Sequence, residues 1–301
     1  MNRQLKGFDN SSSVKLFEGE RVLVWAGLLG FLLAAICGIW VLLYGGERSP
    51  DGNVANAFSF NAAFGIFLLS TAAISPLSAR SPRKRAFFRW ALVLLALYSY
   101  GAETIQNFRG VNPRFVEDGS ILDHFVGIGF GLVALLLVLV YIFFSIPFFQ
   151  RQASLTRPEI VLAIRYALLT TMLSFAAGIW ISVNQGRYTG LEGNIIWLHG
   201  LGFHGLQALP LIAWLTEHSS ITTALRHRII HLTGVAFTLG VIFIGWQTLL
   251  GNTLWEWTWL PILAGGCFLV TLAIGAAALF QARHVLSPAY WQRASNRHLA
   301  S

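Results

Sequence analysis

Histidine, glutamate and glutamine side chains gather in parts of this sequence that are otherwise strongly apolar. His199, His204 and Gln207 lie within one apolar segment, and His124 lies at the start of another. Imidazoles within hydrocarbon are rare and costly, so they indicate a functional site. Neutral imidazole nitrogens are also ligands of haem iron, copper and zinc. These residues therefore predict an intramembrane cofactor-binding site.

Two cofactor chemistries fit the histidines. In the first, His124 and His199 are the axial ligands of a haem b, and His204 and Gln207 are the neighbouring residues that orient these ligands. In the second, His124, His199 and His204 bind a copper or zinc ion together with Glu103 or Asp123. His199 and His204 are five residues apart, so they do not share one helix face and cannot form a metal clip alone.

Further polar residues extend the candidate site near the ends of neighbouring segments. Glu103, Gln106 and Asn107 recur at intervals of three and four residues and therefore share one face of a helix. A carboxylate within a membrane needs a partner or a water-filled cavity, and Arg109 is the partner we expect for Glu103. The other predicted members are Asp123, Gln185 and Gln247.

The elements that carry these residues are membrane-spanning helices. The chain has 301 residues, of which 55% are hydrophobic and 11% are charged, whereas a soluble domain carries roughly 25% charged residues. Its apolar residues form eight blocks, each with the ~20 residues that cross a ~30 Å hydrocarbon core. We predict an all-α, multi-pass helix bundle in four hairpins with spans at 22–44, 57–78, 87–107, 121–149, 159–183, 193–215, 229–249 and 258–282.

The basic residues predict how this bundle is oriented. Of the 21 Lys and Arg residues, 17 fall in segments on one side, and the other side has Arg48, Arg109, Arg114 and Arg187. The positive-inside rule then places both termini in the cytoplasm, as expected for a bacterial inner-membrane protein. The predicted organisation is a retained cytoplasmic segment at 1–21, a membrane domain at 22–282 and a cytoplasmic tail at 283–301. Scattered charges of this kind argue against binding of nucleic acid.

Short repeats suggest an internal parallel duplication. The tripeptide Gly-Ile-Trp occurs at 38–40 and at 178–180, each time near the end of a predicted helix. A His-x-x-Gly pattern occurs at 124–127 and at 199–202, each time near the start of one. If an axis along the membrane normal relates the two halves, His124 and His199 would both face it.

The layout is similar to that of the haem A synthases, which also have eight helices in two related halves and intramembrane histidines. The similarity is one of architecture and residue type. The glutamate-containing His motif and the helix-borne His pairs of that family do not occur here at comparable spacings, so no activity or residue role is carried over.

Three functions are compatible with these residues. The first is a haem- or metal-binding protein for redox chemistry or metal handling, which would make it a membrane oxidoreductase. The second is a carrier or channel for a small solute, with the same residues lining its outer vestibule. The third is an accessory subunit whose polar residues only hold helices together beside a membrane partner. The sequence has no phosphate-binding loop, nucleophile elbow or His-Glu-x-x-His motif to support nucleotide or hydrolase chemistry.

Overall fold

The chain is a bundle of long helices. The computed structural model describes residues 14–117, 119–155 and 157–283, so most of both predicted terminal segments lies outside the described residues. Short 3-10 turns follow the second and fourth helices at Ser75–Ser78 and Ile146–Phe149. The helices are α1 (Arg21–Tyr44), α2 (Val54–Ile74), α3 (Pro82–Phe108), α4 (Ile121–Ser145), α5 (Pro158–Val183), α6 (Ile195–Phe203), α7 (Gly205–Glu217), α8 (Thr223–Leu249) and α9 (Trp259–Gln281).

Seven spans in the described residues are long and apolar enough to cross a membrane, and α6 and α7 together form one of them. The helix α3 is also long, but it begins with a basic segment and ends with Glu103, Gln106 and Asn107, which lowers its hydropathy. The prediction of an all-α bundle that spans a membrane several times is confirmed, with α3 as the most polar of its long helices.

Two small β-hairpins connect pairs of helices. The strands β1 (Glu47–Arg48) and β2 (Gly52–Asn53) pair between α1 and α2. The strands β3 (Tyr188–Thr189) and β4 (Gly193–Asn194) pair in the same antiparallel register between α5 and α6. Because successive spans alternate in direction, both hairpins lie at the same end of the bundle, which we call the hairpin end.

The two hairpins match in detail at a spacing of 141 residues. The side chain of Asn53 caps α2 by accepting a hydrogen bond from Ala55 N at 2.9 Å. Asn194 caps α6 in the same way, accepting from Ile196 N at 3.1 Å. Asparagine is a favoured N-cap because its side-chain oxygen satisfies a free backbone N–H of the first turn.

The loops that follow α3 and α8 pack on these hairpins in matching ways. Asp51 N donates to the carbonyl of Gly110 at 2.8 Å, and Glu192 N donates to that of Gly251 at 2.9 Å. Both accepting glycines have a positive φ, of 82° and 74°, a conformation that glycine adopts without steric cost. At the same spacing, however, His124 matches Gly265 and His199 matches Phe58, so the two histidines do not occupy matching positions.

Small residues allow the closest helix contacts. A Cβ atom added at Gly65 of α2 would lie 2.8 Å from the carbonyl oxygen of Gly27 on α1. In the second half, Gly202 of α6 packs on Thr170 and Ser174 of α5. Small residues at such positions let backbones approach closely, which is the usual packing device in lipid. The two halves, α1–α4 and α5–α9, meet mainly where α2 contacts α7 and where α4 contacts α5.

The end opposite the hairpins is held by buried ion pairs. Glu20 is fully buried before α1, and its Oε1 accepts hydrogen bonds from Ser75 and from Arg85 at 3.0 Å. Arg89 approaches its other oxygen at 3.5 Å. Part of the positive charge in the first turns of α3 is therefore neutralised within the bundle.

Candidate functional site

A buried carboxylate lies at the centre of the polar residues of α3. Glu103 has no exposed surface, and its Oε1 is 2.5 Å from both Nε and Nη2 of Arg114. Asn107 donates to the second oxygen at 3.1 Å. The expected pairing of Glu103 with Arg109 is wrong, because the loop after α3 turns back and places Arg114 over the carboxylate.

Arg109 instead pairs with the first turn of α4. Its Nη1 is 2.5 Å from Oδ1 of Asp123 and donates to Gln106 at 2.6 Å. Gln106 also donates to Asp123 at 2.9 Å. Asp123 in turn forms a capping box with Ser120, which fixes the start of α4.

We call these six residues the α3–α4 network: Glu103, Gln106, Asn107, Arg109, Arg114 and Asp123. The prediction that its three members on α3 share a face is confirmed, since all three side chains are buried. Each carboxylate is matched by one guanidinium, so the network has no net charge. Buried charges are tolerated when they are paired and hydrogen-bonded in this way.

The network also holds the first hairpin. Asn107 accepts a hydrogen bond from Asn53 N at 2.9 Å, which joins the end of α3 to β2. Asn53 also lines a polar cleft of about 440 Å³ at the hairpin end, beside Asp51 and Asn112. The amide of Asn107 therefore contacts a buried carboxylate on one side and the backbone of the hairpin on the other.

His199 lies on α6 with its ring against α5. Its Nδ1 is 2.8 Å from the carbonyl oxygen of Ser174. A carbonyl can only accept, so Nδ1 carries the proton and Nε2 keeps its lone pair. Gly178 provides the space for this ring, because a Cβ atom there would lie 2.9 Å from Cε1 of His199.

Phenylalanine rings connect His199 to Arg114. We call Phe60, Phe64, Phe67 and Phe203 the aromatic arc, and its neighbouring ring centroids lie 5.4–5.9 Å apart. The guanidinium of Arg114 lies 5.6 Å from the centre of Phe60, at one end of the arc. His199 lies 5.1 Å from Phe203 at the other end.

The sixth span departs from regular α-helical hydrogen bonding at His204, although the backbone there keeps right-handed helical angles of φ −65° and ψ −14°. The helix α6 ends at Phe203 and α7 begins at Gly205, while His204 N donates to Leu201 in a tight turn. His204 is nine residues from the start of α6, or ~14 Å along the helix axis. This irregularity therefore lies near the middle of the span, before Pro210.

A chain of hydrogen bonds leads from this irregularity into the other half of the bundle. Nδ1 of His204 lies 3.1 Å from Oε1 of Gln207, and Gln207 Nε2 donates to Ser70 Oγ at 2.7 Å. Ser70 donates onward to a carbonyl within α2. We call His204, Gln207 and Ser70 the crossing chain, because it joins α7 to α2.

No family model, curated protein or solved structure matches this chain. The function has to be inferred from the site itself.

The structure does not bring every predicted residue into one site. His124 is exposed on α4, and its imidazole makes no hydrogen bond or ring contact within the described residues. Gln247 is buried but bonds only to Thr253 and Thr258 of the following loop. Gln185 is exposed and donates to Ser182 at the end of α5. Residues 14–117, 119–155 and 157–283 contain no group of three or more His, Cys, Asp or Glu side chains placed to hold a metal ion.

Three residues of the site escaped the sequence reasoning. The sequence predicts Arg114 only as a charge on the outer side, and it does not predict Ser70 or Asn53 as members of the site. Asn53 could have been found from the matching Gly-Asn pairs 141 residues apart. Ser70 could not, because a single serine in an apolar helix usually bonds to its own backbone.

Proposed function

We propose that this protein is a membrane carrier or channel for a small solute, with its site between the two halves of the bundle. The observation that carries the proposal is the crossing chain, which places polar side chains where the two halves of the bundle meet. Local departures from α-helical hydrogen bonding, such as the one at His204, are tolerated within membranes where the backbone lines a cavity or is covered by protein. In carriers built from two repeats, the solute site lies near the membrane midplane at the repeat interface.

The crossing chain supports this location. It lies where α2 of one half contacts α7 of the other, and it supplies two adaptable side chains and a hydroxyl. His204 is exposed on the bundle, and an imidazole facing lipid would be costly. Water or a solute beside His204 removes that cost.

Internal duplication is part of the same proposal. The two hairpins, their asparagine caps and their glycine contacts recur at one spacing, as parallel repeats of four spans would require. The halves then differ in chemistry, since the first carries the α3–α4 network and the second carries His199 and His204. The hairpin end faces outward in this proposal, in agreement with the charge distribution of the loops.

The test is swelling of proteoliposomes in iso-osmotic solutions of uncharged solutes of increasing size. The wild type should swell faster than protein-free liposomes up to a size limit. Gln207→Leu, which breaks the crossing chain on both sides, should slow swelling, and Gln185→Leu on the exposed end of α5 should not. Swelling no faster than in protein-free liposomes across the series would contradict the proposal.

A second candidate, a haem or copper protein, is favoured by one observation. His199 and His204 are each held through Nδ1, which leaves Nε2 free, as in many histidine ligands of metals. If a cofactor binds, the purified protein should show a Soret band or stoichiometric copper. His199→Ala should abolish it, and His227→Ala at the opposite end should not. A wild type with neither haem nor metal would eliminate this candidate.

A further inference from the structure

The beginning of α3 and the end of α4 form an apolar groove at the end of the bundle opposite the hairpins. Phe88 of α3 and Phe144 of α4 are buried and stack on each other, with ring centroids 4.1 Å apart. Phe87 and Phe143 each precede a stacked ring by one residue, or about 100° around the helix. Because the two helices run in opposite directions, both rotations lead to the same side of the pair. Phe87 and Phe143 are 76% and 63% exposed, and we call the space between them the phenylalanine groove.

Two positive charges lie beside the phenylalanine groove. Nη2 of Arg80 donates to the carbonyl oxygen of Phe143, which fixes the guanidinium next to the groove. Lys84 precedes Phe88 by one turn, about 6 Å along the axis of α3, and therefore lies on nearly the same face. Its side chain is exposed and makes no ion pair or hydrogen bond within the described residues. Both charges therefore lie beyond the apolar rings, towards water.

Carboxylates at this end of the bundle are used by other cations. Glu20 pairs with Arg85 and Arg89, and Glu217 pairs with Arg157. Neither carboxylate balances the two charges beside the groove. Guanidinium and ammonium groups bind phosphate through charge-assisted hydrogen bonds. A ligand that combines a phosphate with hydrocarbon chains is therefore complementary to both the charges and the groove.

From this arrangement we infer that the phenylalanine groove binds an anionic phospholipid, with its phosphate at Arg80 and Lys84 and an acyl chain along Phe87 and Phe143. Basic pockets between membrane helices bind anionic headgroups in this way. A zwitterionic phospholipid carries its own cation beside the phosphate, so it gains less from two positive charges. This inference goes beyond the proposed function, because the groove lies on the lipid-facing surface of the first half, away from the crossing chain.

The experiment titrates the full chain, purified in detergent, with phosphatidylglycerol and with phosphatidylcholine that has the same acyl chains. Native mass spectrometry counts the bound lipids and gives the dissociation constant of the first one. We expect the wild type to bind phosphatidylglycerol about 25-fold tighter, because each of the two cations contributes about fivefold. Glycerol phosphate, which has the phosphate without the acyl chains, should not displace the bound lipid at equal concentration.

Lys84→Gln removes a charge that has no partner in the described residues, so it should lower the preference for phosphatidylglycerol about fivefold without unfolding the protein. Arg228→Gln removes an exposed charge of α8 at the same end of the bundle. It is the matched control and should retain the preference.

Equal affinity of the wild type for the two lipids overturns the inference, whether or not a variant folds. Equal losses in the two variants, or no loss in Lys84→Gln, would mean that the groove does not select the lipid. Displacement by glycerol phosphate would mean that the two cations bind free phosphate. Each of these results also overturns the inference.

Discussion

At the level of residues, the Glu103–Arg114 pair shows what a sequence can and cannot reveal about a buried charge. The spacing of Glu103, Gln106 and Asn107 correctly predicted a shared buried face. It did not identify the partner, because Arg109 and Arg114 both follow the carboxylate in the segment between α3 and α4. The choice depends on the loop conformation, in which Gly110 adopts a positive φ after α3.

The first prediction concerns the cost of removing this charge. Glu103→Gln should lower the free energy of unfolding by about 2 kcal/mol, since it leaves a guanidinium without its carboxylate in a largely buried site. The loss stays moderate because about a third of the Arg114 side chain is exposed and can reach water (35%). The measurement is unfolding of the purified protein in mixed micelles.

Glu192→Gln is the control for that prediction. Glu192 is exposed on the second hairpin, and changes at such positions usually remain within about 0.5 kcal/mol. Similar, negligible losses for both variants would place Glu103 in contact with water and would remove it from the α3–α4 network.

At the level of elements, the irregularity of the sixth span was only partly foreseeable. Pro210 indicated a kink, since proline removes a backbone donor and crowds the preceding turn. The helical hydrogen bonding instead tightens about one and a half turns earlier, between Gly202 and Gly205, which both pack against α5. Which glycine faces a neighbouring helix depends on tertiary packing, and a single sequence does not contain that information.

A pair of glycines in α6 tests this packing directly. Gly202→Ala should destabilise the protein by about 2 kcal/mol, because the added methyl would overlap the Ser174 hydroxyl and lie 2.5 Å from the Thr170 carbonyl oxygen. Gly200→Ala meets open space and should be neutral or slightly stabilising, as alanine favours helix over glycine. Both variants are compared by thermal unfolding in detergent. Equal shifts in Tm would mean that α6 does not pack on α5 through Gly202.

At the level of the whole molecule, composition and block length were sufficient to predict the membrane bundle. The predicted spans agree with the helices to within a few residues at most ends because long apolar blocks allow few alternatives. The sequence predicted the arrangement of the two halves less well. The histidine repeat suggested a symmetric pair, yet the matching hairpins set a spacing of 141 residues that separates His124 from His199.

Orientation is the third prediction and follows from the loop charges. With both termini in the cytoplasm, a tag at the C-terminus should resist protease in intact cells and be cleaved after permeabilisation. A tag inserted at Leu191, which is 96% exposed in the second hairpin, should be cleaved in intact cells. The reverse pattern would show that the hairpin end faces the cytoplasm.

The most direct test of the account is whether water reaches the crossing chain. Single cysteines replace Gln207 or Leu211 of α7 in a protein whose Cys37 and Cys267 have been changed to alanine. They are then treated with a membrane-impermeant thiol reagent from the hairpin side. Thiols react as thiolates, which form in water and not in hydrocarbon. We expect Gln207→Cys to react quickly and Leu211→Cys, which is exposed on the outside of the bundle, to remain unmodified. Equal protection of the two positions would contradict a solute site between the halves.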